Sequence, residues 1–204
     1  MPGLIDHLVV TANRLSAASA LVETELGLGM DQGGAHAAMG THNRLLSLGP
    51  LDYVEALAID PDAPAPDRPR WFGLDRREGP ARLTAWALRV PDLDAALAEA
   101  PDGIGAPAEL ARGDYRWRFS LPESGVLPFD GLFPALIEWQ GPMPQEALED
   151  HGARLVSLTI RHPRAGALGW ALSMLSSDDR VVVREGPAGL SALIHTPEGE
   201  KVLE

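Results

Sequence analysis

Apolar and polar positions alternate along Leu4-Ile5-Asp6-His7-Leu8-Val9-Val10-Thr11. A strand sends alternate residues to opposite faces, so Ile5, His7, Val9 and Thr11 share one face and Asp6, Leu8 and Val10 the other. An imidazole among apolar neighbours needs a hydrogen-bond partner or a metal, because burying it unpaired is costly. A second apolar run, Leu51 to Ile59, carries Glu55 in its middle, which makes Glu55 the nominated partner of His7. Between them, Leu15, Ala18, Leu21, Val22 and Leu26 form a helical stripe, with Asn13 or Ser16 as cap and Gly27 as terminator. Two further strands, one loosened by glycines over 28–36 and one over 40–49, complete a β-α-β-β-β order.

Residues 60–70 hold four prolines and read as a linker, with Trp71 to Leu74 docking the connection back onto the core. The opening pattern then recurs. Leu83 to Val90 can be laid on Leu4 to Thr11, which puts Trp86 at the position of His7. A short helix capped by Asp92 follows, then strands near 105–111 and 115–121. A last strand, Pro134 to Gln140, carries Glu138 where the first unit carries Glu55. A third echo begins at Leu155, with a helix over 165–175, a strand over 180–185 and a terminal hairpin. The chain thus divides into a first βαβββ module at 1–60, a Pro-rich linker at 61–80, a second module at 81–145 and a divergent third at 150–204. The expected class is α+β.

The chain has 204 residues and 45% hydrophobic content, enough for a sizeable core. Its formal net charge is −12, which argues against nucleic acid and anionic membrane as partners. It has no Cys, which excludes disulfides, thiolate nucleophiles and Cys-type zinc sites. No basic-then-apolar leader and no run of membrane-spanning length is seen, so a soluble, cytoplasmic protein is the expectation.

Several pieces together resemble the vicinal oxygen chelate superfamily of glyoxalases, bleomycin-resistance proteins and ring-cleaving dioxygenases. The match is nearest to glyoxalase-like proteins with a Gly-Thr-His-Asn motif. These pieces are Ile5 to Val10, Leu26-Gly27, Met39 to Asn43, Tyr53-Val54-Glu55, Leu136 to Trp139 and Thr196 to Gly199. The resemblance implies paired βαβββ modules whose mixed sheets curl into an open barrel around a divalent metal (Mn, Fe, Zn, Ni or Co). It carries the ligand positions onto His7, Glu55 and Glu138, while the fourth falls on Trp86, which cannot bind metal. Either the metal has fewer protein ligands, or His42 substitutes, or there is no metal.

Such an ion would act as a Lewis acid on a small-molecule substrate with adjacent oxygens, in isomerase, lyase or dioxygenase chemistry. Glu55 or Glu138 could instead accept a proton. The alternative is a non-catalytic, metal-free sequestering protein with Trp86, Trp117 and Trp139 lining an apolar cleft and His42 beside it. A hydrogen-bonded His7–Glu55 pair in the core also accounts for both residues. His36 reads as exposed, Trp71 and Trp170 as core, and an odd module count leaves sheet edges that a second copy could cover as a homodimer.

Overall fold

The computed structural model describes residues 3–204. Three β-α-β-β-β runs follow one another. The first is β1 (Leu4–Thr11), α1 (Leu15–Leu26), β2 (Asp31–His36), β3 (Thr41–Ser47) and β4 (Tyr53–Ile59). The second is β5 (Arg82–Arg89), α2 (Leu93–Glu99), β6 (Ala106–Arg112), β7 (Tyr115–Leu121) and β8 (Ala135–Trp139). The third is β9 (Arg154–Arg161), α3 (Ala165–Ser173), β10 (Val181–Arg184), β11 (Gly189–Thr196) and β12 (Gly199–Leu203).

Burial rather than capping holds α1 in place. Arg14 occupies its N-cap without a side-chain hydrogen bond, so neither Asn13 nor Ser16 caps it. Ala18, Val22 and Leu26 are buried, and Gly27 closes the helix at φ 68°, where a side chain would be strained. Asp92 does cap α2, accepting from the Ala95 N–H at 3.0 Å.

In the first run β1 pairs parallel with β4, in the second β5 pairs parallel with β8, and β1 joins β5 antiparallel. The result is one eight-stranded sheet, β2-β3-β4-β1-β5-β8-β7-β6. It curls until its two edges meet. Arg112, at the end of β6, hydrogen-bonds Asn43 on β3 at 3.0 Å and His36 on β2 at 3.3 Å. The third run repeats the element order but not the pairing. Its strands form a separate sheet, β10-β9-β11-β12. That sheet docks through bonds such as Gly3 N–H to Leu175 O at 2.6 Å and Leu83 N–H to Glu204 O at 2.9 Å.

After the proline-rich connection a 3-10 turn, Trp71–Arg76, buries Trp71 and Leu74. Trp170 departs from expectation: it is 70% exposed. The buried stripe of α3 runs through Leu168, Ala171 and Leu172, and at 100° per residue Trp170 falls outside it. No helix among the described residues is long and apolar enough to cross a membrane.

Candidate functional site

His7 and Glu55 meet inside the curl. In the parallel pairing of β1 with β4, His7 lies level with Tyr53, and Val9 level with Glu55. His7, Tyr53 and Glu55 therefore share the concave face. His7 Nε2 stands 3.6 Å from Glu55 Oε2, and the imidazole stacks on the Tyr53 ring at 4.8 Å. Only 4% of His7 and 6% of Glu55 is exposed.

A β-bulge adds a second carboxylate. The pairing of β1 with β5 shifts between Ile5 and His7, leaving Asp6 as the extra residue. Its fully buried carboxylate accepts from His7 Nδ1–H at 2.7 Å and from the Trp139 indole N–H at 2.9 Å. Arg89 lies 3.7 Å from the same group. Burial alone lowers the His7 pKa, but the hydrogen bond and charge of Asp6, with the charge of Glu55, outweigh it and raise the pKa above its ordinary value. Carboxylates flank both ring nitrogens of His7, and both favour its protonated form.

Asn43 ties the acid end to the cation. Its Nδ2 donates to Glu55 Oε1 at 2.6 Å, and its Oδ1 accepts from Gly34 N–H at 2.9 Å and Arg112 at 3.0 Å. This fit requires a glycine at 33, where a Cβ would sit 2.2 Å from Asn43 Oδ1. His36 completes the network. Its Nδ1 meets the Thr41 hydroxyl at 3.1 Å, while Nε2 faces the donors Arg112 at 3.3 Å and Asn43 at 3.4 Å. Nε2 must then be the acceptor, and His36 is neutral. Burial, then the charge of Arg112, pushes its pKa down to about 3.

The second run supplies aromatic walls. Tyr115, Trp117 and Phe119 on β7 and Trp139 on β8 line the cavity with Trp71 and Phe72. Arg116 and Arg118 point the other way, as alternation along a strand requires. The inner cavity holds about 40 Å³, and it adjoins an outer groove of about 630 Å³, the two sharing Leu45, Arg112, Tyr115 and Pro144.

Of the residues singled out in the sequence, His7, Glu55, Trp117 and Trp139 line this cavity. Glu138, Trp86 and His42 do not. Ile137 and Trp139 face inward, so Glu138 between them faces outward. There it accepts from the Leu93 N–H at the start of α2 at 2.7 Å and pairs with Arg118 at 3.2 Å. Trp86 pairs with Leu8, not His7, and is fully buried on the convex side, its N–H on Leu132 O at 2.9 Å. Ala87 stands level with His7 instead. His42 pairs with Ala58 on the outward face, between the inward Thr41 and Asn43.

The expected metal set of His7, Glu55 and Glu138 therefore does not assemble. Two donor atoms converge, His7 Nε2 and Glu55 Oε2, and among the described residues no third side-chain ligand joins them. Asp6 is paired with His7 and lies beside Arg89, Glu55 is paired with His7 and bonded by Asn43, and Glu138 is engaged elsewhere, so the three-ligand set expected from the sequence is not brought together. Among the described residues, the side chains that could gather round an ion are Asp31, Glu149 and His151, at the half-exposed rim of the outer groove.

Asp6, Asn43 and Arg112 were not singled out by sequence, and His36, expected to be exposed, is buried in the cavity wall. Asp6 adjoins His7 in the chain, and Asn43 belongs to the Gly-Thr-His-Asn segment. Arg112 and Tyr115 flank a two-residue turn, Gly113-Asp114, and nothing local marks that hairpin tip as reaching β2 and β3.

A family model described as a glyoxalase-like domain matches residues 5–175. No curated protein matches the sequence. A hypothetical protein from Staphylococcus aureus superimposes with a TM-score of 0.62 at 13% identity, covering 90% of this chain and 86% of its own, a likeness of fold alone. Methylmalonyl-CoA epimerase from Streptomyces coelicolor gives a TM-score of 0.47 at 17% identity, over 69% of this chain and all of the epimerase. The Mycobacterium tuberculosis epimerase gives 0.42 at 21%, over 70% of this chain and 90% of its own. With its curled sheet of two joined βαβββ units and a family model spanning most of its length, the chain belongs to the glyoxalase-like family of the vicinal oxygen chelate superfamily.

Proposed function

We propose that the protein is a glyoxalase-like small-molecule enzyme of the isomerase or lyase type, working by proton transfer next to a carbonyl. The observation that carries this reading is the Asp6–His7–Glu55 array, closed by Asn43 and Arg112 inside an aromatic cavity. Glu55 is the base: the substrate C–H bond breaks, the proton passes to Glu55, and the electron pair moves onto the carbonyl oxygen as an enolate. Arg112 and the His7 imidazolium stabilise that oxygen, and Asp6 keeps His7 charged and oriented. Returning the proton to carbon gives an isomer; expelling a leaving group gives lyase chemistry. The inner cavity of about 40 Å³ takes only the reacting end. The remainder of the substrate lies in the outer groove, whose volume is typical of ligand sites.

The test is deuterium exchange in D2O, followed by proton NMR, on a panel of small 2-oxo and 2-hydroxy acids. The wild type exchanges the proton next to the carbonyl, and Glu55→Gln does not. Exchange that survives in Glu55→Gln, or is absent from the wild type across the panel, overturns the proposal. The aromatic lining supports a second reading, a sequestering protein for planar ligands. On that reading ligands quench tryptophan fluorescence equally in the wild type and in Glu55→Gln, without turnover.

A further inference from the structure

Between the two sheets, bordering the inner cavity only at Phe72, lies a cleft of about 510 Å³ lined by four arginines, Arg76, Arg77, Arg82 and Arg161. In a chain of net charge −12 such a concentration of positive charge needs an account. Arg161 faces Glu204 at 3.7 Å. Among the described residues, Arg76, Arg77 and Arg82 make no ion pair. Three carboxylates also line the cleft, Glu78, Asp130 and Glu204. Glu204 is paired with Arg161, and Asp130 accepts from a His162 whose Nδ1 in turn accepts from the Arg164 N–H, so Asp130 keeps its charge; three arginines without an ion pair face two uncompensated carboxylates, Glu78 and Asp130.

Arg77 adds a second, independent observation. It is anchored on β1, with Nε donating to the Thr11 hydroxyl at 3.0 Å, and it also bonds the Pro80 carbonyl. One guanidinium nitrogen, NH1, is left buried with no partner. NH1 lies behind the cleft surface, so Arg77 acts on the cleft through its charge rather than through this donor. The rest of the lining includes Phe72, Leu83, Val126 and Leu132, an apolar wall beside the cations.

We infer that this cleft binds a phosphate monoester: the dianion sits between Arg76, Arg77 and Arg82, and the attached apolar group rests against Phe72, Leu83 and Val126. Guanidinium forks match phosphate oxygens in geometry as well as charge. Burial and the neighbouring Arg82 lower the Arg77 pKa, a strain that a bound dianion relieves. The site does not depend on the reading of the inner cavity.

The test is calorimetric titration of the full chain with phenyl phosphate and with inorganic phosphate, chloride holding the ionic strength constant. Arg76 and Arg82 are exposed, so Arg76→Gln and Arg82→Gln leave the fold undisturbed. Both anions bind saturably, phenyl phosphate the more tightly, and each substitution weakens binding about tenfold. The exposed Arg14→Gln, at the start of α1, carries the same charge change and binds as the wild type does. Absence of saturable binding overturns the site, as does retained affinity in the Arg76→Gln, Arg82→Gln double variant or an equal loss in Arg14→Gln. Weaker binding of phenyl phosphate than of inorganic phosphate overturns the monoester.

Discussion

His36 makes the fold acid-labile in a window that can be isolated. Its Nε2 accepts from Arg112 and Asn43, so protonation would set N–H against N–H beside a guanidinium. The residue is 8% exposed, so water cannot compensate. With the folded pKa near 3 and an ordinary value of 6.5, the unfolded chain takes up a proton between those limits that the folded chain refuses. Stability is fully present above 6.5 and falls as pH drops through the window, by at most about 1.4 kcal/mol per pH unit. From pH 7 to pH 4.5 the loss is about 2.5 kcal/mol, a large share of the roughly 5–15 kcal/mol that holds a domain folded. His7 acts in a different window. Its raised pKa gives stability that is full below 6.5 and lost as pH rises through the folded value. The assay is reversible urea unfolding of the wild type and His36→Gln at half-unit steps from pH 4.5 to 7.5. Glutamine keeps an acceptor for Arg112 but cannot titrate. The lost packing shifts the variant by a constant, whereas the difference between the two proteins must change by about 2.5 kcal/mol across the range. A difference that is flat with pH refutes the assignment of His36 as a neutral acceptor.

Asp6→Asn removes the main charge holding His7 protonated, so the His7 pKa falls, as NMR titration of the imidazole will read; an unmoved titration contradicts the role given to Asp6. Trp139→Phe deprives the buried Asp6 carboxylate of an N–H and destabilises by about 1–3 kcal/mol in urea unfolding. Gly33→Ala forces Asn43 aside at a cost of about 1–3 kcal/mol and, unlike an ordinary surface change, also lowers the turnover that depends on Glu55. Elemental analysis of purified protein gives well under one divalent ion per chain lost on Glu55→Gln; a stoichiometric ion lost in that variant refutes the two-donor argument.

The repeat was legible because its signals are local: alternation, a short helix with an apolar stripe and turn residues recur in each run. The faces of individual side chains were harder, because a strand offset by one residue inverts them. Laying Leu83 on Leu4 set Trp86 at the His7 position, whereas Trp86 lies opposite Leu8 and is buried on the convex side, away from the cavity. The bulge at Asp6 breaks strict alternation, so a residue assigned to the far face became the closest partner of His7. In Gly40-Thr41-His42-Asn43 the imidazole drew notice for its chemistry, but strand period put the amide inside. Arg112 carried no local mark at all, since its role exists only once β6 has curled round to β2 and β3.

That closure explains how the site divides its labour. The first run contributes the buried carboxylates and imidazoles, Asp6, His7, His36 and Glu55. The second contributes the cation Arg112 and most of the aromatic walls. Neither half is chemically complete, because the buried carboxylates of Asp6 and Glu55 call for compensating charge. The Arg112–Asn43–Glu55 chain of bonds therefore closes the curl and brings the guanidinium toward Glu55 in one step. On the proposed function, a substrate that develops negative charge, as an enolate does, would meet Arg112 and His7 at this closure.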